Sequence, residues 1–169
     1  MDHEIVAIDE VGFQLQTNFK RIWFEKGKKP KGAFFWSNKK LITFGALTSS
    51  HKFYYEFHIA QNSMTFMSFL SSLFEWLNLN KKYVLILDNA AWHKTKVVRN
   101  FIAKHKNIKV EYIPPYSPEL NPIETNWKVT RNNVTKSQFF RTIEDMQEAL
   151  EEFWSEHNFI QDFMRYLCR

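Results

Sequence analysis

The sequence predicts an α/β domain with a mixed five-stranded sheet and helices on both faces. Two apolar runs that each end in a carboxylate, at residues 5–9 and 84–88, are typical of buried strands. Between them lies a segment in which apolar and polar side chains alternate, as in a half-buried strand. Helical and extended patterns alternate in the second half, so we expect three antiparallel strands followed by parallel additions.

The first half of the chain is predicted to hold a three-stranded meander and one helix. The predicted strands are residues 4–8, 41–48 and 52–59, with a turn at 49–51 and a helix after Asn62 and Ser63. In the third strand Phe53, Tyr55, Phe57 and Ile59 share one face. Apolar residues recur at helical spacing from Met64 to Leu77, which indicates a core-facing stripe rather than a cofactor site. The basic residues 11–40 are expected to be extended and partly loop.

The second half is predicted to alternate strand and helix. The predicted elements are a strand at 83–87, a helix at 94–104, a strand at 109–113, a helix that opens at Asn121 and runs toward Asn133, and a final amphipathic helix from Ile143 to Trp154. Pro114 and Pro115 stop the second strand, and Asn121 with Pro122 suits an N-cap and a first helical position. The strand-helix-strand unit implies parallel neighbours with a right-handed crossover.

Three acidic residues are candidates for a divalent-metal site. Asp9 and Asp88 each follow a buried strand, where open sheets place their chemistry, and Glu124 lies in the first turn of a predicted helix. Carboxylate oxygens are the ligands that Mg²⁺ prefers, and a two-metal site drives in-line displacement at phosphorus without a protein nucleophile. The sequence therefore indicates a divalent-metal site built from carboxylates.

Each candidate ligand has an alternative interpretation. Glu10 competes with Asp9, because neighbouring strand residues face opposite sides and only one can face the site. Asp88 could be a turn residue or a helix cap, and Glu124 has capping-box spacing from Asn121. Glu119 is a rival ligand in a proline-bounded loop. His93 could be structural, and no second His or Cys lies at zinc spacing from it.

Three motifs resemble those of the mariner-type insertion-sequence transposases. They are Asp-Asn-Ala-Ala-Trp-His-Lys at 88–94, Pro-Pro-Tyr-Ser-Pro-Glu-Leu-Asn-Pro-Ile-Glu-Thr-Asn-Trp at 114–127, and Asp-Glu-Val-Gly-Phe at 9–13. The similarity covers roughly residues 4–135. It implies a DDE catalytic domain with the ribonuclease-H-like fold, which cleaves DNA at element ends and transfers the strand into target DNA at TA sites.

The resemblance also implies a cofactor and an assembly. Asp9, Asp88 and Glu124 would be the catalytic residues and would hold two Mg²⁺ ions, for which Mn²⁺ substitutes. Asp9 would bridge both ions, with Asp88 and Glu124 each favouring one. The side chains expected to border these ligands are Glu10, Asn89, His93 and Asn121. The protein would act as a homodimer in a synaptic complex with element ends and target DNA.

The charge distribution favours a nucleic-acid partner. Residues 1–141 hold 21 Lys/Arg and 11 Asp/Glu, whereas residues 142–169 hold 2 and 7. A basic body suits a polyanion, because neutralising phosphates releases counterions. The predicted DNA contacts are Lys26, Lys28, Lys29, Lys31, Lys94, Lys96, Arg99, Lys128 and Arg131; some of the basic residues could instead be ordinary solvated helix positions.

We expect a single catalytic domain over residues 1–169, with a core at about 4–135 and a C-terminal helical segment at about 137–169. Eight residues precede Asp9, so the helix-turn-helix modules usual in the family are expected to be absent, supplied by a separate DNA-binding polypeptide, or removed from a longer protein. The lone Cys168 and the lack of an export signal or a long apolar run predict a cytoplasmic protein with no membrane contact. The resemblance implies a prokaryotic protein that is nucleoid-associated when bound to DNA.

Two other functions stay open from the sequence. One is a ribonuclease-H-like nuclease that cuts but does not join DNA. The other is a non-catalytic DNA-binding remnant that interferes with an intact transposase. The presence of all three carboxylates argues against the remnant.

Overall fold

The computed structural model describes residues 3–16, 25–27, 37–78, 80–136 and 138–167. Its centre is one five-stranded sheet in the order β3-β2-β1-β4-β5. The strands are β1 (His3–Gln14), β2 (Lys40–Thr48), β3 (Phe53–His58), β4 (Lys82–Leu87) and β5 (Ile108–Tyr112). The pairs β1/β2 and β2/β3 are antiparallel, and β1/β4 and β4/β5 are parallel. This confirms the predicted mixed sheet.

Five α-helices accompany the sheet in the described residues. They are α1 (Ser63–Trp76), α2 (Lys96–Ile102), α3 (Ile123–Thr130), α4 (Ile143–Glu156) and α5 (Phe163–Leu167). Helix α1 begins with a capping box, in which the Asn62 side chain accepts from the Thr65 N–H and the Thr65 hydroxyl accepts from the Asn62 N–H. None of the described helices is long and apolar enough to span a membrane.

Each face of the sheet has its own hydrophobic core. Val6 and Ile8 of β1 join the cluster formed with α1 and α2, whereas Ala7 and Val11 join the cluster formed with α3, α4 and α5. This follows from the two-residue period of a strand, which sends successive side chains to opposite faces. The alternation places Asp9 on the α3 side and Glu10 on the α1 side, as confirmed by their contacts with α3 and with the turn before α2.

Strand β1 loses one of its two neighbours partway along its length. Its pairing with β4 ends at Ala7↔Ile86, but its pairing with β2 continues to Gln14↔Lys40. Beyond Ala7, therefore, β1 and β4 diverge and leave a gap between them. Asp9 and Asp88 both lie just past this divergence, which we call the β1–β4 fork.

Several predicted boundaries were wrong. Strand β1 is longer than predicted because antiparallel pairing with β2 extends it past Gly12. The predicted helix at 94–104 is divided into a 3-10 turn (Ala91–Lys94) and α2, because the Thr95 hydroxyl caps α2 at the Val98 N–H. Helix α3 ends in a π-helical turn (Arg131–Thr135), and α5 was not predicted. Ile59 lies beyond β3 and is 97% exposed.

Candidate active site

Asp9, Asp88 and Glu124 line one cavity of about 350 Å³. Asp9 comes from β1, Asp88 follows β4 directly, and Glu124 lies in the first turn of α3. We call this cavity the carboxylate cleft. Its remaining lining residues are Asn89, Ala90, Ile113, Pro114, Pro115, Tyr116, Ser117, Pro118 and Asn121. The fold thus brings together the three carboxylates singled out in the sequence.

Asp9 is held by a tryptophan from α3. The Trp127 indole Nε1 donates a hydrogen bond to Asp9 Oδ2 at 3.0 Å. Trp127 lies one helical turn after Glu124, so residues i and i+3 of α3 face the same cleft. Glu10 lies on the opposite face of the sheet, away from the residues that line the cleft. The structure therefore separates the two rival carboxylates of β1.

The cleft concentrates negative charge around Asp9. Burial, followed by the charges of Glu124, Glu10 and Asp88, raises the pKa of Asp9 from 3.8 to about 8. A carboxylate in such surroundings resists ionisation unless a cation compensates it. The donor set and its charge therefore fit a divalent metal ion.

The fit does not require a complete cage of protein ligands. Within the described residues, no group of three His, Cys, Asp or Glu side chains is arranged to hold an ion as it stands. Magnesium usually keeps several waters and binds one or two carboxylates together with substrate phosphates. A partial set of protein ligands is therefore compatible with Mg²⁺ binding at this cleft.

Asp88 is positioned by His93, which bridges it to Glu10. His93 Nδ1 lies 2.8 Å from Asp88 Oδ1, although its N–H is not aimed directly at that oxygen, and Nε2 bonds Glu10 Oε1 at 2.7 Å. The His93 side chain is fully buried and the Glu10 side chain is 3% exposed. Burial lowers the pKa of His93, but the hydrogen bonds and charges of Asp88 and Glu10 outweigh it and raise the pKa to about 9.

The charged histidine in turn stabilises ionised Asp88. The close contact with the His93 imidazole lowers the pKa of Asp88; burial opposes this, and a bond from the Ala90 N–H assists it. Both contacts use Oδ1, since the Ala90 N–H also donates to that atom at 2.9 Å. Neither contact engages the second carboxylate oxygen, and the Asp88 side chain is 43% exposed. Asp88 is therefore a pre-ionised, oriented oxygen donor.

Asn121 anchors the start of α3 to the sheet. Its side-chain Nδ2 donates to the Ile8 carbonyl at 3.1 Å, and its backbone N–H bonds the Pro118 carbonyl. The second bond replaces the capping-box interaction that Glu124 could have made with the Asn121 N–H. Glu124 is therefore placed in the cleft by a helix fixed to the strand that carries Asp9.

Asn89 and Lys94 form one rim of the cleft. Asn89 donates to the Ile113 carbonyl and accepts from Lys94 Nζ. The Lys94 ammonium also lies 4.6 Å from the centre of the Tyr112 ring, in a cation–π contact. A positive charge is thus fixed next to the carboxylates.

The other predicted DNA contacts are more dispersed. Lys96 and Arg99 are exposed on α2, and Arg131 is partly exposed after α3. Lys128 lines a neighbouring cavity that shares Asn121 and Glu124 with the carboxylate cleft. Lys26 is exposed in a short described turn. Lys28, Lys29 and Lys31 lie outside the described residues.

Trp127 and Tyr112 contribute to the site, but sequence reasoning did not select them. Trp92 is a third such residue, since its Nε1 lies 3.4 Å from Glu10 Oε1. For Trp127 a signal was available, because it is three positions from Glu124 on a predicted helix. Tyr112 carried no local signal, since its role depends on the position of Lys94 across the sheet edge.

Gly45 leaves room for the tryptophan that holds Asp9. It pairs with Asp9 across β1 and β2, and a Cβ there would lie 2.4 Å from Trp127 Cη2 and 2.7 Å from Cζ2. We expect Gly45→Ala to displace the indole, lower the free energy of unfolding by about 1–3 kcal/mol and weaken the Asp9 contact. Urea unfolding measures the first effect.

Gly12→Ala is the matched control, because the nearest atom to its Cβ would be Lys40 Cδ at 3.7 Å. It should change stability by less than about 0.5 kcal/mol. Adding Trp127→Phe to Gly45→Ala should recover part of the loss, since the smaller ring vacates the space. Equal stability of Gly45→Ala and wild type would contradict the close approach.

Residues 4–147 match a family model described as DDE superfamily endonuclease. The chain is 24% identical over 160 residues to the insertion element IS630 uncharacterized 39 kDa protein of Shigella sonnei, covering 90% of this chain and 47% of that protein. It is 40% identical over 63 residues to the uncharacterized protein y4pE/y4sA of Sinorhizobium fredii (strain NBRC 101917 / NGR234), covering 37% of this chain and 44% of that protein. The chain spans about half the length of these curated relatives.

The fold is similar to that of solved Mos1 structures. The Mos1 transposase paired-end complex superposes with a TM-score of 0.77 at 20% identity, over 94% of this chain and 50% of that chain. The Mos1 mariner transposase catalytic domain superposes with a TM-score of 0.70 at 21% identity, over 98% of this chain and 76% of that chain. Mos1 paired-end complexes have been solved with Mn and with Mg. These likenesses confirm the predicted ribonuclease-H-like fold.

Proposed function

We propose that this chain, which belongs to the DDE superfamily endonuclease family, is the catalytic domain of a transposase that cleaves DNA at element ends and joins the cut strand to target DNA. The observation that carries the proposal is the convergence of Asp9, Asp88 and Glu124 on one cleft. These residues come from three distant segments, and no structural requirement of the sheet gathers three like charges. Metal-dependent phosphoryl transfer does require them.

The chain's own residues would hold and orient the reacting groups. Asp9, Asp88 and Glu124 would bind two divalent ions, Mg²⁺ or Mn²⁺, with Asp9 shared between them. When bound, such ions activate the attacking water or 3′ hydroxyl and stabilise the leaving oxygen. Trp127 fixes Asp9, and His93 keeps Asp88 ionised. Lys94 presents its ammonium at the rim, where it can attract a DNA phosphate.

The substrate and assembly follow from the same proposal. Exposed Lys96, Arg99 and Lys128 would contact the DNA backbone beyond the cleft. A homodimer would hold two element ends, and TA dinucleotides would be the target. Recognition of the ends would require DNA-binding modules in a longer protein or in a separate polypeptide. The paired-end complexes of Mos1 support DNA as the partner and a divalent ion as the cofactor.

The deciding experiment is insertion of a pre-cleaved DNA end into a supercoiled plasmid with Mg²⁺ or Mn²⁺. Wild type should nick and join DNA only with metal. Asp88→Asn and Glu124→Gln should each reduce both reactions by about 10³-fold, because a lost ligand removes several kcal/mol of transition-state stabilisation. Glu119→Gln is the matched control, since Glu119 is exposed and does not line the carboxylate cleft. It should retain activity.

The alternatives predict different results. Carboxylate-dependent nicking without joining would identify a ribonuclease-H-like nuclease. Tight DNA binding without any metal-dependent cleavage would identify a non-catalytic remnant. Equal activity of wild type, Asp88→Asn and Glu124→Gln would refute the carboxylate site itself.

A further inference from the structure

Tyr116 is an unusual residue at the rim of the carboxylate cleft. Its side chain is fully exposed, with a relative accessibility of 102%, although it lines the cleft. Its φ is +57°, in the left-handed region that large non-glycine residues rarely occupy. Of the described non-glycine residues, only His51 shares this feature, and it lies in the turn between β2 and β3. A strained aromatic exposed at a reaction site indicates a ligand contact.

The loop that carries Tyr116 is rigidly anchored at both ends. Residues 113–118 form this segment, which we call the rim loop. At its start the Ile113 N–H bonds the Leu87 carbonyl at 2.9 Å and the Ile113 carbonyl accepts from Asn89. At its end the Leu120 N–H bonds the Ser117 carbonyl at 3.1 Å. Three of its six residues are proline, which fixes φ and restricts the preceding residue.

This anchoring holds the backbone at Tyr116 in place before any ligand arrives. An exposed aliphatic side chain, such as that of Ile160 at 76% exposure, has no planar face on which another ring could stack. The Tyr116 ring instead offers a flat apolar face next to three carboxylates. Since little of the backbone must be ordered on binding, the entropy cost of a contact there is small.

The proposed function limits what can approach this ring. The inference therefore rests on a phosphodiester entering the cleft. A cavity of about 350 Å³ is near the lower end of small-molecule sites, so it takes one nucleotide-sized group rather than a double helix. Within one nucleotide of the phosphate lie only a sugar and a base. The base is the group with an aromatic face, and every base has one.

We propose that Tyr116 stacks on an unpaired or terminal base adjacent to the scissile phosphate. In a paired duplex both faces of each base are covered by neighbouring bases, so the ring can stack only where pairing ends. Cleavage at an element end creates such a terminus. The ring then positions the strand end, while Lys94 contacts phosphate and the carboxylates bind the metal. Tyr116 makes no contact specific to one base, so it selects strand structure rather than sequence.

The test uses a short duplex whose 3′ overhang carries 2-aminopurine next to the cleavage position. Binding is measured with Ca²⁺ in place of Mg²⁺, so that it can be read without turnover. Wild type and Tyr116→Phe should change the 2-aminopurine fluorescence on binding. Tyr116→Asn should not, and it should bind the overhang about tenfold more weakly, because one stacking contact is lost. A fully paired, covalently closed circular duplex, which has no strand end, should bind wild type and Tyr116→Asn equally.

The variants separate stacking from folding. Asparagine tolerates positive φ, so Tyr116→Asn keeps the backbone conformation while removing the ring. Tyr116→Gly provides a second such variant and should behave in the same way. Phe139→Ala removes an aromatic that is 53% exposed and does not line the cleft, and it should leave both DNA affinities unchanged.

Three outcomes would overturn the inference. Equal overhang affinity and fluorescence in wild type and Tyr116→Asn would show that the ring does not stack. Equal weakening on closed circular and overhang DNA would show a general structural role. Absence of DNA binding by wild type would also reject it, and metal-dependent nicking by the same preparation would then decide the proposed function separately.

Discussion

Asp9→Asn is expected to abolish metal-dependent DNA cleavage while making the metal-free protein more stable at pH 8. The activity should fall by about 10³-fold or more, because the residue proposed to bind both metal ions is lost. The stability should rise because a buried carboxylate surrounded by Glu124, Glu10 and Asp88 becomes neutral. Asparagine retains an oxygen that can accept from Trp127 Nε1. Most substitutions of a buried hydrogen-bonded group instead lower the stability of the folded protein.

The pH dependence of this stabilisation follows from the raised pKa. A carboxyl with a pKa of about 8 in the folded state and 3.8 when unfolded favours the folded state fully below pH 3.8. That contribution is lost progressively as the pH rises from about 4 through 8. The stability gained by Asp9→Asn should therefore grow from pH 5 to pH 8 and reach on the order of 2–5 kcal/mol.

Thermal unfolding in EDTA at pH 5 and pH 8 measures this difference. A gain of that size corresponds to roughly 5 °C or more in Tm. Addition of Mg²⁺ should stabilise wild type and have little effect on Asp9→Asn, since only wild type retains all three proposed ligands. Glu119→Gln should follow wild type throughout. A metal-free Asp9→Asn protein less stable than wild type at pH 8 would contradict the electrostatic account.

His93→Ala is expected to lower the free energy of unfolding by about 3–5 kcal/mol at pH 7. The histidine is fully buried between Asp88 and Glu10, and its loss leaves the Glu10 carboxylate buried without its cation. Adding Glu10→Gln removes that unpaired charge and should recover part of the loss. Urea unfolding of the two single variants and the double variant gives the coupling free energy.

His58→Ala is the matched control for His93→Ala. His58 bonds Glu56 at 2.9 Å, but the two side chains are 13% and 23% exposed, so solvent can replace the partner. The change should cost less than the loss of His93. If the two variants lost equal stability, burial of the Glu10–His93 pair would not be the cause.

The pH dependence of the buried pair has a defined sign. The pKa of His93 is raised from 6.5 to about 9, so its stabilising contribution is full below pH 6.5 and is lost as the pH rises through 9. The double variant His93→Ala, Glu10→Gln has neither charge and serves as the reference. The stability advantage of wild type over this reference should shrink between pH 7 and pH 10.

The fold could be predicted because its signals are local. An apolar run that ends in Asp9 or Asp88 is contained within five residues, and the hairpin and helix patterns are equally short. The parallel arrangement of β4 and β5 followed from the helix between them. The start of α2 could also have been predicted, because Thr95 is a typical N-cap residue. The π-helical turn at Arg131–Thr135 has no such local signal.

The supporting contacts of the site could not be predicted in the same way. Trp127 and Asp9 are 118 positions apart, and His93 and Glu10 are 83 positions apart. Their meeting depends on the register of β1 against β4 and on the rotation of α3 over the sheet. No local sequence pattern determines this register or this rotation. The motif resemblance identified the three carboxylates, but not the side chains that set their ionisation.

The position of β1 at the centre of the sheet has a consequence during synthesis. Asp9 is synthesised 118 residues before Trp127, which completes its surroundings, and this interval lasts on the order of 10 s at ordinary elongation rates. The antiparallel half of the sheet can form while the parallel half is still being made. A nascent chain therefore carries an open, single-sided strand edge and no cleft. The cleft is complete only when α3 docks beside β1, so a nascent chain that ends before Trp127 lacks the side chain that holds Asp9.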